Sequence, residues 1–435
     1  MPSTPSRTSL AAPAFTPVIV GGDIGAYSLA RAFHEAYGKT SVVISKLAGW
    51  HVSDSAFIEN VSCPDPFDAT ALAETLRQVG ESHPGEILLL GSADATVKAI
   101  IRVRDEIGAL TGEVDGKPRW IAPYVDLETF RAGTEKQNFT ALCEKLGLDH
   151  PLTRVFDLSQ EVDPDLEVPF AYPVIAKPAE VSEWKKASFP GKQKVHTVAS
   201  REDLVALLQA IRGAGYRESI IVQDRIPGDD QQMRILTCYC DADSTVRFAS
   251  FGRTLLEEHS PGAIGNPAAI ITAHDPEAVA QAQKICRELG WTGYANFDLK
   301  HDTRDGKTKF FELNPRLGRS NYYVTAGGHN PVTYYVDEHI TGALQPVPAG
   351  ETAEIVQDQD EVLYTVVPVP LVKHYTTLPE AKEQLRRALT NGRARNPLFY
   401  RGVEKHPRRL AYAVAAMANY VRKFRRYYTP DKPAA

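Results

Sequence analysis

The chain of 435 residues carries a formal net charge of −5, with 43% hydrophobic and 24% charged residues. That length exceeds what one hydrophobic core supports and implies roughly two to four domains or subdomains. The acidic balance excludes a generic nucleic-acid binder, and five scattered cysteines without a CxxC pair exclude a disulfide framework or a zinc site.

In chain order, residues 1–14 read as a disordered leader, since the opening MPSTPSRTSLAAPAFTP lacks the long apolar stretch of a signal peptide. No run of about 18 apolar residues occurs, so no transmembrane helix is expected and the cytoplasm is the expected compartment. Residues 17–21 form a short apolar strand. GGDIGAYSLARAFHEAYG then turns into a helix with apolar spacing at Ile24, Leu29, Ala32, Phe33 and Tyr37, and SVVIS at 41–45 is the next strand. This strand–helix–strand opening predicts a doubly wound sheet. The turn does not fit GxGxxG, because Val20 stands in the place of the first glycine. The glycines serve the backbone turn instead. Asp23, at the carboxyl edge of the sheet, is placed to touch a substrate. A helix over 68–79, a buried-type strand EILLL at 86–90 and a turn and helix from GSADA, with Asp94 in the turn, complete a small α/β domain at 15–125.

Residues 125–147 read as helical around Lys136 and Phe139. YPVIAKP, 172–178, is an apolar strand ending on Lys177. A sheet seldom buries an unpaired cation, and a phosphate ahead of that lysine accounts for it. The following AEVSEWKKASFPGKQKVHTV is polar and basic, with Lys185, Lys186, Lys192 and Lys194, and reads as a mobile flap or hairpin rather than a packed element. A helix at 201–213, a strand SIIVQDRI at 219–226 broken by Pro227-Gly228, strands at 231–240 and 247–252, and an amphipathic helix at 278–290 come next. Cys238 and Cys240, two apart on a strand, are read as core.

The stretch that organises the chain is GYANFDLKHDTRDGKTKFFELNPRLGRS, 293–320. Two apolar-rich runs flank a polar middle with an Asp-Gly pair, a strong hairpin signal. Asp298 on the first arm and Glu312 and Asn314 on the second are odd residues for strands. A hairpin brings their oxygens to one face, a donor set that suits Mg²⁺ with room for water and phosphate. Lys300, Arg316 and Arg319 lie close by and can hold phosphate or substrate oxygens. The plain alternative is a polar hairpin with one solvated face.

A helix is expected at 330–341 and, after a change of character near 345, a strand at 361–369 and a helix at 379–389. From 392 to 428 the basic residues Arg393, Arg395, Arg401, Lys405, Arg408, Arg409, Arg422, Lys423, Arg425 and Arg426 face a single acid, Glu404. The intervening LAYAVAAMANYV is apolar but too short to span a bilayer. The segment is either a terminal helix packed on the body with a solvated basic face, or an amphipathic element meeting an anionic membrane surface or a phosphorylated substrate.

The order of these features resembles the ATP-grasp superfamily over roughly residues 15–345: a small α/β domain, Lys136, Lys177 at the end of PVIAKP, a basic loop, VQDRIPGDD, a helix, then FDLK and FFELNPR. The fold class implied is α/β and α+β: a doubly wound pre-ATP-grasp domain at 15–125, a two-lobed ATP-grasp domain at 126–345 with the nucleotide cleft between its lobes, and a basic C-terminal extension at 346–435. The resemblance implies ATP and Mg²⁺ or Mn²⁺ as cofactors. Lys136 and Lys177 would contact the phosphates, and the 180–194 loop would close over them, although Gly191 is its only glycine where many relatives have a glycine-rich run. Gln223, Asp224, Arg225 and Ile226 would form the adenine hinge, Gln223 standing where many relatives carry Glu. Asp230 would take the ribose hydroxyls. Asp298, Glu312 and Asn314 would hold the metal, Asp298 being shorter than the usual Glu. Arg316 would face the acyl phosphate, and Arg253 the γ-phosphate or a substrate carboxylate. The chemistry implied is attack of a carboxylate on ATP to give an acyl phosphate, then displacement of phosphate by an amine.

Within that superfamily, TPVIVGGDIGAYSLARAFHEAYG and FELNPRLGRSNYYVTAGG are similar to the D-aspartate ligases of peptidoglycan cross-bridge synthesis, whose core is like that of the carbamoyl-phosphate synthetase large subunit. This implies a small carboxylate such as D-aspartate, an amine-bearing acceptor such as a muropeptide precursor, no nucleic-acid partner, a homodimer, and peripheral contact with the inner face of the membrane through the basic C-terminal region. Two alternatives stand beside it: a bicarbonate-activating enzyme of the carbamoyl-phosphate or carboxylase type, and a non-catalytic ATP-binding regulatory subunit.

Overall fold

The structure, a computed structural model, describes residues 13–429 except 180, 194, 349, 350, 352 and 359, and excepting the side chains of 181, 182 and 185. Most of the expected leader, and Lys194 and the Lys185 side chain of the expected flap, lie outside the described residues. The chain packs as two compact units. One comprises Met1–Leu127, Gly328–Thr352 and Leu398–Ala413, the other Glu128–Gly327, Ala353–Pro397 and Val414–Ala435. The stretch expected as a C-terminal extension is thus shared between the two units.

The elements run β1 (Phe15–Val20), α1 (Ile24–Tyr37), β2 (Ser41–Ser45), β3 (Ile58–Ser62), α2 (Ala69–Ser82), β4 (Glu86–Gly91), α3 (Asp94–Arg102), β5 (Glu113–Val114), β6 (Lys117–Pro118) and β7 (Trp120–Ile121). Then come α4 (Leu127–Thr134), α5 (Lys136–Leu146), β8 (Thr153–Asp157), β9 (Val174–Pro178), α6 (Val181–Lys186), β10 (His196–Val198), α7 (Arg201–Gly213) and β11 (Ser219–Asp224). The chain continues with β12 (Met233–Cys240), β13 (Val246–Glu257), β14 (Pro267–Ala273), α8 (Pro276–Leu289), β15 (Gly293–Asp302), β16 (Lys307–Asn314), α9 (Tyr322–Ala326) and α10 (Val332–His339). It ends with β17 (Val356–Gln357), β18 (Leu363–Thr365), α11 (Val369–Tyr375), α12 (Pro379–Thr390), β19 (Ala394–Arg395) and α13 (Pro407–Tyr427).

The first unit holds the doubly wound sheet expected from the opening strand–helix–strand pattern. Its parallel strands are ordered β3-β2-β1-β4-β7. Val18, Val20, Val42, Ile44 and Leu89 share one buried core with Leu72, Leu76 and Ile100 of the helices, each such side chain contributing about 1.5–3 kcal/mol on burial. The strand order reverses between β1 and β4, where their carboxyl ends lie side by side. There Asp23 caps α1: its Oδ1 accepts from Ala26 N and from Ser92 Oγ, both at 3.0 Å. A Cβ at Gly21 would lie 1.9 Å from Ser92 Oγ, so the turn admits only glycine. The later return segment is pinned by one buried ion pair. Glu404 and Arg409 meet at 2.9 Å. Tyr27 Oη at 3.2 Å and Ser55 Oγ at 2.7 Å donate to the same Glu404 carboxylate, and Arg409 Nη1 donates to His51 O at 2.7 Å. The single acid of the basic stretch is therefore an interior partner.

The second unit holds two sheets. The smaller, antiparallel, has the order β10-β9-β11-β8 and packs its inner face, Val174, Ile220 and Val222, with Leu204 and Leu208 of α7. The segment expected to be a mobile flap joins this core. Trp184 of α6 is 4% exposed and stacks edge-on against Phe189 and Tyr216. One large aromatic outweighs the polar composition around it, so the segment is a packed element. The larger sheet runs β16-β15-β12-β13-β14-β18-β19, with β17 beside β13. It includes the buried β14, PAAIITA, between β13 and β18. Cys238, Cys240 and Cys286 are buried and free, as expected of core residues.

One group within this sheet titrates oddly. Asp358 is 2% exposed. Ser250 Oγ donates to its Oδ2, and its Oδ1 has no partner among the described residues. Burial, opposed by that hydrogen bond, pushes its carboxyl from 3.8 up to about 7. The native protein then holds a proton that the unfolded chain releases, so this group's contribution is full below about pH 4 and is lost as pH rises through 7. Asp358→Asn should lose this dependence. Relative to it, the natural protein should lose on the order of 2–4 kcal/mol across that window. Thermal melting of both proteins at mildly acidic and mildly alkaline pH checks this, and identical pH slopes would refute it.

Candidate active site

The hairpin of β15 and β16 pairs Asn296 with Asn314, Phe297 with Leu313 and Asp298 with Glu312. Directly opposed residues of an antiparallel pair point to the same face, so Asp298, Glu312 and Asn314 come together as the sequence predicted. Asn314 Nδ2 donates to Asp298 Oδ2 and to Asn296 O, each at 3.2 Å, while Arg316 Nη2 donates to Asn314 Oδ1 at 3.4 Å. Burial first, and the neighbouring Glu312 carboxylate second, push the Asp298 carboxyl well above the usual range, against the lowering pull of Arg316 and Asn314. Glu312 is also its hydrogen-bond partner. Two adjacent carboxylates cannot both ionise here unless a cation lies between them. Among the described residues no group of three or more His, Cys, Asp or Glu forms a metal cluster, and this site has two carboxylates and an amide. That set, with open positions for water and phosphate, fits Mg²⁺ or Mn²⁺.

Just past Asp298 the register shifts, so that Leu299 pairs with Phe310 and Phe311 is the extra residue. Such a bulge on an edge strand re-aims a side chain. Phe311 lines a narrow cleft with Ile175, Lys177, Gln223, Asp224, Arg225, Ile226 and Lys300. Lys177, 7% exposed at the end of β9, has its Nζ 5.9 Å from the Phe311 ring centre. The structure thus collects the lysine and all four expected hinge residues in one cleft between the two sheets of this unit. Gln223 Nε2 donates to Thr153 Oγ1 at 2.9 Å, which fixes the side chain at the strand end. Lys300 Nζ donates to Gly228 O at 2.9 Å, and burial pushes its amine down to about 8. Lys136 opens α5 and does not line this cleft. Asp230 Oδ2 accepts from Glu257 N at 2.9 Å and meets His259 Nε2 at 2.8 Å.

Arg253 is not brought to this group. It pairs with Arg234, one position off the row that joins Asp298, Ile235 and Gly252. Strand alternation therefore turns it to the opposite face of the sheet. There its Nη1 donates to Gln384 Oε1 at 3.2 Å and lies 3.7 Å from Glu380 Oε1. Arg319 Nη1 donates to Glu258 Oε1 at 2.9 Å. Two residues beside the cleft were not singled out from the sequence. Arg304, in the turn between β15 and β16, grips Asp224 with both terminal nitrogens, at 3.0 and 2.5 Å. His259, just after LLEE, holds Asp230. Neither carries a local signal beyond a polar residue outside the regular elements.

Comparison with a curated relative makes the chain an ATP-dependent ligase of the ATP-grasp type, joining a carboxylate to an amine. Comparison of the sequence with known proteins makes the assignment more particular. It is 30% identical over 422 residues to the D-aspartate ligase of Enterococcus faecium, covering 95% of this chain and 97% of that protein. The chain belongs to the D-aspartate ligase family. It is also 24% identical over 237 residues to the large chain of carbamoyl phosphate synthase from Deinococcus deserti, covering 52% of this chain and 21% of that one. No family model matches the sequence. Among solved structures, the fold is similar to an L-amino acid ligase from Bacillus licheniformis (TM-score 0.53, 16% identity, 77% of this chain and 78% of that one). It is likewise similar to the biotin carboxylase domain of the Hydrogenobacter thermophilus 2-oxoglutarate carboxylase, described as a complex with MgADP, ADP and bicarbonate (TM-score 0.56, 14% identity, 80% and 73%).

The strained carboxylate pair yields a paired outcome. Asp298→Asn should raise the melting temperature of the metal-free protein, because it removes one of two mutually repelling acids, and should lower turnover at least about a hundredfold. Added Mg²⁺ should stabilise the natural protein and leave the variant unmoved. Calorimetry with and without Mg²⁺, together with ADP release, reads both; a lower metal-free melting temperature would contradict the repulsion argument.

Proposed function

We propose that the protein uses ATP and Mg²⁺ to activate an amino-acid carboxylate, that of D-aspartate in keeping with its relative's name, and joins it to an amine of a peptidoglycan precursor. The observation that carries this reading is the Asp298–Glu312–Asn314 set beside Arg316, on the same face of β15 as Lys300, which lines a cleft with Lys177 and the 223–226 strand end. Bound there, a divalent cation would neutralise charge on the ATP phosphates. Lys177 reaches the phosphates from the opposite wall of the cleft, and the 223–226 backbone reads the adenine. A substrate carboxylate oxygen attacks the γ-phosphorus, the bond to the β-bridging oxygen breaks, and ADP leaves. Arg316 steadies the resulting acyl phosphate. The amine then attacks the acyl carbon, phosphate departs with the oxygen, and the amine's proton is lost, leaving an amide.

An ADP-release screen over D- and L-amino acids with hydroxylamine present tests this. A hydroxamate from D-aspartate is the expected result. A hydroxamate from another acid would move the substrate assignment, and none from any acid, alongside tight ATP binding, would overturn the ligase reading. Glu312→Ala should abolish ADP formation, and full activity in that variant would remove Glu312 from the metal site.

A further inference from the structure

Helix α13 divides its charges unevenly. Between Glu404 and Asp431 there is no acid, and the helix carries Arg408, Arg409, Arg422, Lys423, Arg425 and Arg426. Two of these turn inward to interior carboxylates: Arg409 meets Glu404 at 2.9 Å, and Lys423 lies 3.6 Å from Glu258. Ala413, Tyr420 and Phe424 share that buried side. The other four arginines are exposed.

Between the exposed arginines the outward side is apolar. Leu410, Val414 and Ala418 follow at one-turn spacing, as do Ala411, Ala415 and Ala418, and all are exposed. Leu410 is 42% and Val414 62% exposed. Continued along the helix, the same rows reach Arg422, Arg425 and Arg426, while Arg408 closes the other end. A scattered exposed leucine needs no explanation, but an apolar row bracketed by arginines on an acid-free helix does.

We propose that this outward face of α13 docks on an anionic lipid bilayer, lying in the plane of the headgroups. The apolar row enters the acyl boundary, and the arginines reach lipid phosphates with their stems along the surface. A soluble phosphorylated ligand would use the arginines alone and leave the apolar row without a role. Spanning is not at issue, because no helix among the described residues is long and apolar enough to cross a membrane.

The test is co-sedimentation of the full chain with large vesicles. It should bind vesicles of equal phosphatidylglycerol and phosphatidylcholine and ignore pure phosphatidylcholine, with binding weakened by salt. Arg422→Gln, Arg425→Gln and Arg426→Gln together should cost roughly a hundredfold, at about fivefold per arginine. Leu410→Gln with Val414→Gln should also release the protein, even at low salt. No binding to the anionic vesicles would overturn the proposal. So would a Leu410→Gln, Val414→Gln protein that binds as well as the natural one, since that outcome points to a phosphate site without lipid. Hydroxamate formation by soluble substrates, unaffected by these exposed changes, separates this result from the ligase reading.

Discussion

Two carboxylates placed on one side of neighbouring strands repel, and only a shared proton or a cation relieves them. The arrangement of Asp298 and Glu312 is the constraint on which the remainder of the site depends. The strand register that sets them opposite also delivers Asn314 to Asp298, and Arg316 follows Asn314 closely enough to hold its amide oxygen. The shift immediately beyond Asp298 frees Phe311 to face the cleft. One hairpin thereby builds the acidic set and lends Lys300 and Phe311 to the cleft, to which the smaller sheet adds Ile175, Lys177 and the strand end at 223–226.

The sequence discloses what is local and hides what depends on pairing. The hairpin is legible because an Asp-Gly turn and period-two arms fix which residues oppose one another. Lys177 is legible because an apolar strand has no other use for a lysine at its end. Arg253 defeats the same reasoning: a slip of one residue reverses its face, and nothing between 231 and 257 records the parity that joins three strands. Trp184 is hidden in the sequence between Ser182-Glu183 and Lys185-Lys186, since composition averages over the one side chain that packs. Glu404 looks like a stray acid in a basic run until Arg409 meets it and Tyr27 and Ser55 close around it from hundreds of residues away.

Ion pairs to a buried carboxylate recur in both units. Glu404 joins Arg409, Glu258 receives Arg319, and Asp302 is held by Arg304 and Lys309. Burial alone would raise the Asp302 carboxyl, but the hydrogen bonds from those two cations hold it well below the usual range. Such pairs add little net stability over an apolar contact, yet breaking one leaves an uncompensated charge inside.

Arg304 belongs to a turn whose formal task is to reverse a strand, yet its guanidinium spans from Asp302 at its own base to Asp224 at the end of β11. Turn length and the residue at position 224 are consequently coupled. A residue inserted between 302 and 307 would swing the arginine away from Asp224 and leave that carboxylate without it, even though the turn itself lies on the surface where insertions are ordinarily harmless. Loop grafting among relatives would therefore succeed only when the hairpin tip and the 223–226 strand end are moved together.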